Sequence, residues 1–270
     1  MDEIKELVEI KKIAMEINKT YNENCLETMV RMPNGFIDLT VTSPPYDNLR
    51  TYNGYSFDFE SIAKELFRVT KDGGVVVWVV GDATIKGSET GSSFRQALYF
   101  MECGFNLHDT MIYQKSTPPL SHNRYEQNFE FMFCFSKGVL NTFNGIREPK
   151  EYSDNRKVKD FGRNRDNTID SGYSSSDTSR LKRNVWKYFA AGGANDKIAS
   201  GHPAIFPEKL AYDHVISWSN EGDMIYDPFM GSGTTAKAAK VSNRNYIGSE
   251  ISKEYCNIIE QRLIECGGLF

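Results

Sequence analysis

Residues 75–80 form a run of five valines and one tryptophan, and this run constrains the fold most strongly. A strand that is apolar on both faces must be covered on both sides, which is typical of a parallel sheet between two layers of helices. Helical patterns at residues 59–69 and 94–103 flank the run along the chain. Strands that alternate with helices predict an α/β fold with a mostly parallel sheet.

The same patterning recurs before and after this region. Further strands are predicted at residues 36–41, 106–114, 129–135, 224–226 and 245–248. Further helices are predicted at residues 3–19, 207–217, 234–241 and 253–266. Two prolines, Pro44 and Pro45, end the first of these strands abruptly because proline fixes φ and lacks the N–H donor.

A glycine-rich turn joins the strand at 224–226 to the helix at 234–241, and it has the layout of a nucleotide-binding site. The turn reads Asp227-Pro228-Phe229-Met230-Gly231-Ser232-Gly233-Thr234-Thr235. Glycines let the backbone turn tightly and approach a ligand closely, and the helix N-terminus presents N–H groups that lack a partner within the helix. Glu250 ends the next strand, where a carboxylate can accept hydrogen bonds from ribose hydroxyls.

Four interpretations of this turn compete. A P-loop requires Gly-Lys-Ser/Thr, and here Gly233 is followed by two threonines. A dinucleotide fingerprint is matched by Gly231, Gly233 and Ala236, but a dehydrogenase usually continues with a longer second half. In an S-adenosylmethionine site, the aspartate before the turn orients the amino-acid part of the cofactor, and the acidic residue Glu250 holds the ribose. A tight turn without any ligand is the fourth interpretation.

The earlier motif Thr42-Ser43-Pro44-Pro45-Tyr46 favours a site for the exocyclic amine of a nucleobase. This amine is a poor nucleophile because its lone pair is delocalised into the ring, and acceptors that bind its hydrogens expose that lone pair. Ser43 Oγ and the Pro44 carbonyl can be two such acceptors, held rigidly by the prolines. Tyr46 can stack on a base extruded from the duplex. The candidate catalytic residues are therefore Ser43, Pro44, Pro45 and Tyr46, and the alternative is a plain Pro-Pro turn that ends a strand.

The two motifs, in this order, resemble those of the permuted β group of amino-DNA methyltransferases, in which the catalytic motif precedes the cofactor motif. Nearly the whole chain shares the resemblance, which is carried by residues 24–27, 42–46, 201–208, 227–233 and 246–250. It implies a Rossmann-like, seven-stranded, mostly parallel sheet with helices on both faces, and S-adenosyl-L-methionine as cofactor. The implied cofactor-binding residues are Asn24, Cys25, His202, Phe206, Asp227, Phe229, Gly231, Ser232, Gly233, Thr234 and Glu250.

The positions of the cysteines narrow the choice of which atom of the base is methylated. Methylation at cytosine C5 needs a cysteine nucleophile on a Pro-Cys motif, and none of the five cysteines follows a proline. Transfer to an exocyclic nitrogen needs no covalent intermediate. Within the resembling group, Ser-Pro-Pro-Tyr after a threonine leans toward cytosine N4, and adenine N6 is the alternative. An RNA substrate or an inactive cofactor-binding protein is a more distant alternative.

The polar segment at residues 147–187 is the candidate DNA-facing region. It carries eleven Lys or Arg and seven Asp or Glu, a local charge of +4 (eleven minus seven) in a chain whose net charge is −4. Either this is a solvated loop, or it contacts phosphates, and the two motifs favour the second interpretation. The predicted division is therefore 1–140 for the catalytic part, 141–200 for an inserted target-recognition region, and 201–270 for the cofactor part. The candidate DNA contacts are Arg50, Tyr52, Arg180, Lys182 and Arg183.

Composition and the family resemblance together suggest the cellular location and the partners of the protein. The cysteines form no CxxC pair, so neither a metal site nor a disulfide framework is expected. No apolar run approaches the roughly 18 residues of a membrane span, and a cytoplasmic, bacterial or phage-encoded protein is expected. The predicted partner is double-stranded DNA. A homodimer and a separate restriction endonuclease are further partners that the resemblance suggests.

Overall fold

The structure, a computed structural model, describes residues 15–45, 57–115, 125, 127–150, 162–163, 169–170, 178–188 and 206–266. In these ranges the helices are α1 (Cys25–Arg31), α2 (Phe59–Val69), α3 (Ser92–Glu102), α4 (Glu208–Trp218), α5 (Thr234–Val241) and α6 (Lys253–Glu265). The strands are β1 (Lys19–Tyr21), β2 (Ile37–Thr42), β3 (Thr70–Val80), β4 (Thr84–Ile85), β5 (Ser88–Glu89), β6 (Asn106–Lys115), β7 (Phe129–Ser136), β8 (Arg147–Pro149), β9 (Gly162–Arg163), β10 (Ile169–Asp170), β11 (Ser179–Leu181), β12 (Val185–Tyr188), β13 (Met224–Asp227) and β14 (Asn245–Ser249).

One large sheet organises the main part of the chain, in the order β1-β14-β13-β2-β3-β7-β6-β12. Every neighbouring pair is parallel except the two pairs that β7 makes with β3 and β6. The prediction of a mostly parallel α/β sheet is therefore confirmed. The sheet has eight described strands, however, and not the expected seven, because the short strand β12 adds to the edge by pairing in parallel with β6.

Most predicted elements agree with the observed ones, and two differ. Strand β3 begins at Thr70 instead of residue 75, because Thr70 pairs with Ile37 before the register jumps to Leu39 opposite Val75. The extra residues bulge from the β2 pairing but stay in the sheet through two hydrogen bonds between residues 73–74 and Lys137. The predicted helix at 3–19 lies largely outside the described residues, and Lys19 begins a strand.

The core covers both faces of this sheet, as the apolar strand predicted. The five valines and the tryptophan at residues 75–80 are all at most 2% exposed. An aromatic group packs on one face, where the rings of Trp78 and Phe100 meet edge to face with centroids 5.1 Å apart. The Trp78 indole N–H donates to Gln96 Oε1 at 2.9 Å, which satisfies a buried polar group on this face.

Residues 145–183 form a compact unit of their own. Its β8 and β11 pair antiparallel, with Arg180 opposite Glu148. Strand β12, which follows it, belongs to the larger unit. The proposed target-recognition role and the bounds 141–200 stay predictions. Within the described residues, no helix combines the length and the apolar character needed to cross a membrane.

Candidate active site

The two sequence motifs meet at one edge of the sheet. Strands β2 and β13 are parallel neighbours, with Leu39 opposite Ile225, so their carboxyl ends lie side by side. There the Thr42 hydroxyl donates to Asp227 Oδ1 at 2.6 Å, across an interval of 185 residues. Thr235, in the first turn of α5, donates to the Val41 carbonyl at 3.1 Å. The end of β2 that leads into Ser43 and the glycine turn are thus joined by two buried hydrogen bonds.

Asp227 is a buried carboxylate, only 5% exposed, at the centre of this junction. Burial raises its pKa to about 6, although hydrogen bonds from Thr42, the Phe229 N–H and Thr235 favour the charged form. The Phe229 N–H lies 3.0 Å from Oδ1. A carboxylate with these properties ionises close to neutral pH and gains from a positively charged neighbour.

The glycine turn wraps around a second buried carboxylate. Gly231 and Gly233 have φ values of 53° and 82°, a left-handed conformation that glycine adopts without strain. The Gly231 N–H donates to Glu250 Oε2 at 2.8 Å, and the Ser252 N–H donates to Oε1 at 2.8 Å. Burial raises the pKa of Glu250. Each oxygen keeps acceptor capacity beyond one backbone bond, so this pair of acceptors suits a ligand with vicinal hydroxyls.

Phe229 gives the turn an apolar side. Its half-buried ring lies 6.1 Å from the Trp78 ring and 5.7 Å from the Phe57 ring, in edge-to-face contacts. Gly248, on the strand beneath, leaves room for the buried Met230, because a Cβ there would lie 1.7 Å from Met230 Cε. The turn therefore sits close on β14, a packing that any side chain at this glycine would disturb.

The candidate catalytic turn, which begins at Ser43, follows β2 directly. Ser43 and Pro45 are half-buried and Pro44 is buried, so the turn is anchored with part of Ser43 accessible. Tyr46 lies outside the described residues, as do Arg50, Tyr52 and His202. Phe206 is half-buried, two residues before α4 begins. Ser232, Gly233 and Thr234 are buried in the glycine turn and the start of α5.

Asn24 and Cys25 are placed at the start of α1. Asn24 caps this helix, because its Oδ1 accepts from the Leu26 N–H at 2.9 Å. The Cys25 thiol is buried and burial raises its pKa to about 12. The Cys25 carbonyl is 3.5 Å from the Tyr226 hydroxyl, which also contacts Ser249 Oγ at 3.0 Å. The first contact fastens α1 to β13 and the second joins β13 to β14, and a cofactor contact from either Asn24 or Cys25 stays a prediction.

Sequence reasoning missed Arg262, which is only 2% exposed on α6 and contacts the glycine turn. A charged residue in a helix usually indicates a solvent-facing side. The available signal was its spacing, since Arg262 follows the buried Cys256 and Ile259 at helical intervals and so shares their face.

The candidate phosphate contacts Arg180, Lys182 and Arg183 all lie in the unit at 145–183. Arg180 is paired within that unit, with Nε and Nη2 each 2.9 Å from Glu148 Oε1. Lys182 is half-buried and Arg183 is exposed. A phosphate contact therefore has to compete with Glu148 at Arg180, whereas the exposed position of Arg183 suits such a contact directly.

Comparison with known proteins identifies the protein family of the chain. The model of the DNA methylase family matches residues 37–261. The chain belongs to this family. This methylase is 59% identical to the orphan methyltransferase M.BamHII from Bacillus amyloliquefaciens over 234 residues, which span 84% of this chain and 88% of the relative. It is therefore an S-adenosylmethionine-dependent DNA methyltransferase that acts on an exocyclic amine, cytosine N4 or adenine N6.

Solved structures agree on the fold of the methylase. The PvuII DNA methyltransferase, which is cytosine-N4-specific, superposes with a TM-score of 0.69 at 20% identity and covers 92% of this chain and 86% of its own. A DNA modification methylase from Thermus thermophilus, complexed with S-adenosyl-L-methionine, gives a TM-score of 0.63 at 23% identity and covers 93% and 95%.

Proposed function

We propose that this methylase transfers the methyl group of S-adenosylmethionine to N4 of cytosine in double-stranded DNA. The observation that carries the proposal is the 2.6 Å hydrogen bond from Thr42 to Asp227. It fixes the strand end that bears Ser43 next to the turn that bears Asp227, which suits a methyl donor and an amine acceptor held side by side. Such positioning of two reactants is a major source of rate enhancement.

The residues of the chain have distinct roles in this proposal. Bound S-adenosylmethionine supplies an electrophilic methyl group. Asp227 binds the positively charged amino group of the ligand, and Glu250 accepts hydrogen bonds from ribose hydroxyls. Ser43 Oγ and the Pro44 carbonyl accept the two hydrogens of the exocyclic amine, so its lone pair points away from the ring plane. Tyr46 stacks on the extruded base.

Cytosine N4 is proposed over adenine N6 because Ser-Pro-Pro-Tyr follows a threonine, the pattern that leans toward cytosine in this group. The same two acceptors can bind the adenine amine, so adenine N6 is the second candidate. We further infer action in the cytoplasm of a bacterial host, on DNA bound partly through Arg180, Lys182 and Arg183. A homodimer and a separate restriction endonuclease are proposed as partners from the family resemblance.

Methyl transfer to unmethylated genomic DNA, followed by mass spectrometry of the nucleosides, tests the proposal. N4-methylcytosine is the expected product, and a Ser43→Ala variant should lose most of the activity. Ser88→Ala is the matched control, because Ser88 is exposed in the β4–β5 hairpin. N6-methyladenine as the sole product would keep the amine chemistry and refute the choice of base. Full activity of the Ser43→Ala variant would refute the assigned role of Ser43.

The DNA-binding part is tested by replacing Arg180, Lys182 and Arg183 together with alanine. Each lost phosphate contact reduces the slope of log Kobs against log salt by about 0.9. We expect a slope shallower by up to about 2.7, and by less if Glu148 keeps Arg180 from the phosphates. An unchanged slope would refute these contacts. An unfolding transition like that of the unsubstituted protein would show that the triple variant is folded.

A further inference from the structure

Arg262 is a fully charged side chain inside the protein, on the face of α6 that packs against the glycine turn. It is 2% exposed, and guanidinium groups are almost never buried unless they are paired. Removing such a charge from water is costly, so its retention calls for partners with good geometry. The identity of those partners indicates what the residue does.

The Arg262 guanidinium contacts the glycine turn at Ser232, the residue between Gly231 and Gly233. Arg262 Nη1 donates to the Ser232 carbonyl, and the same nitrogen lies 3.1 Å from Ser232 Oγ and 3.4 Å from Thr234 Oγ1. Arg262 Nη2 donates to Glu208 Oε1 at 2.8 Å. The planar fork of arginine suits this arrangement, because two separate nitrogens reach two acceptors at fixed angles.

These contacts fix one peptide plane. The Ser232 carbonyl points to Arg262, and the N–H of the following Gly233 donates to the Met230 carbonyl at 2.8 Å. In a trans peptide the C=O and N–H point in opposite directions, so the two bonds hold both ends of the same plane. Glycine tolerates either orientation of its preceding peptide. The turn therefore depends on such bonds, and not on steric restriction, for its shape at Gly233.

Glu208 holds the guanidinium from the other side. It lies at the first residue of α4, and its Oε1 also accepts from Lys237 Nζ of α5 at 2.7 Å. One carboxylate thus joins α4, α5 and α6 beneath the turn. Residues 201–208 carry part of the family resemblance. The contacts with Arg262 and Lys237 give Glu208, the last residue of that stretch, a structural role.

We propose that Arg262 is a positioning residue that orients the Ser232–Gly233 peptide and so keeps the glycine turn in its ligand-binding shape. Glu208 orients Arg262 in turn. The inference rests on the proposed function in one respect, that this turn binds S-adenosylmethionine. It predicts that Arg262 acts on cofactor affinity without touching the base, the cofactor's methyl group or DNA.

The test measures S-adenosylmethionine binding by calorimetry on the protein without DNA. Arg262→Met removes the fork and keeps the length of the side chain, and the Kd should rise at least about tenfold, which corresponds to about 1.4 kcal/mol. Arg262→Lys keeps the charge but not the fork and should give an intermediate loss. At saturating cofactor, kcat and the KM for DNA should stay within about twofold of the unsubstituted protein, because a correctly shaped turn is then selected by the ligand.

Arg244→Met is the matched control. Arg244 is a half-buried arginine whose Nη2 donates to the Ser219 carbonyl at 2.8 Å, just before β14 and so at the opposite end of that strand from Glu250. Its loss should lower the melting temperature and leave the cofactor Kd unchanged. If Arg262→Met does not fold, Arg262→Lys and Glu208→Gln decide, with a Kd at least about threefold higher expected in each.

An unchanged Kd in the folded Arg262 variants, or an equal rise in Arg244→Met, would overturn the positioning role. A fall in kcat with an unchanged Kd would also overturn it. Tight cofactor binding without methyl transfer to DNA would refute the proposed function and leave the role of Arg262 standing on the Kd values. Failure of the unsubstituted protein to bind S-adenosylmethionine would refute both.

Discussion

The hydrogen bond from Thr42 to Asp227 should set the pH range in which the methylase binds its cofactor. In Thr42→Val a methyl group replaces the hydroxyl at similar volume, so Asp227 loses a donor at 2.6 Å while the packing stays. A hydrogen bond to a charged group contributes about 1.5 to 3 kcal/mol, and one pH unit of pKa corresponds to about 1.36 kcal/mol. The pKa of Asp227, which burial raises to about 6, should therefore rise by roughly one to two further pH units.

Cofactor affinity should report this change, because in the proposed function the amino group of S-adenosylmethionine binds the ionised Asp227 carboxylate. If the pKa moves from about 6 to about 7.5, the ionised fraction at pH 6.5 falls from about three-quarters to about one-tenth, and the Kd rises about eightfold. The affinities should converge above about pH 8.5. Calorimetric titrations from about pH 5 to 9 measure both midpoints, with Thr42→Ser as the control that keeps the hydroxyl. Equal midpoints for the valine variant and the unsubstituted protein would refute the reasoning.

Stability provides an independent measurement of the same carboxylate. A pKa raised from 3.8 to about 6 means that the folded state binds the Asp227 proton more tightly than the unfolded state does. The tighter binding of this proton therefore stabilises the folded state at low pH. The stabilisation is lost as pH rises from about 4 to 6, by about 3 kcal/mol in total. Thr42→Val should cost a further 1.5 to 3 kcal/mol or so near pH 8 and much less below pH 5. Urea unfolding at the two pH values measures this difference.

Three further predictions concern Gly248, Glu250 and two buried cysteines. Gly248→Ala should lower stability by about 1 to 3 kcal/mol, because its Cβ would overlap a buried methionine side chain, and thermal unfolding measures the loss. Glu250→Gln should weaken S-adenosylmethionine binding about tenfold, since the amide replaces one acceptor by a donor facing a backbone N–H; exposed Glu254→Gln is the control. Iodoacetamide at about pH 8 should leave Cys25 and Cys256 unmodified in the folded protein, because burial raises their pKa values to about 12 and about 11, and peptide mapping before and after urea unfolding checks this.

Elements with a long, regular pattern were predictable from the sequence. Helix α2 (Phe59–Val69) was predicted at its observed bounds because its apolar positions repeat at helical intervals over eleven residues. The structure adds that Asp58 caps it. Helix α1 was not predicted, because seven residues give too little periodicity and its stability comes from the Asn24 cap and from contacts with α2, β13 and β14.

The candidate site was predictable in its two motifs and not in the bonds that join them. Ser43 stands out because the two prolines after it restrict the backbone. Asp227 stands out because the glycines after it allow a tight turn that can approach a ligand closely. The role of Thr42 depends on a partner 185 residues away, which no local pattern encodes. Arg262 was missed for the opposite reason, since a charge on a helix predicts exposure and only the packed structure places it beneath the turn.

The position of β2 in the sheet has a consequence for how the protein is made. Its neighbours are β3, which follows soon after, and β13, which is synthesised far later. Until residues 224–249 leave the ribosome, one edge of β2 has no partner, and β1 waits in the same way for β14. Unpaired strand edges promote aggregation, and pairing between distant segments is slow. The sheet therefore stays unfinished until β13 and β14 have been synthesised, and the edge of the sheet that carries the candidate active site can form only then.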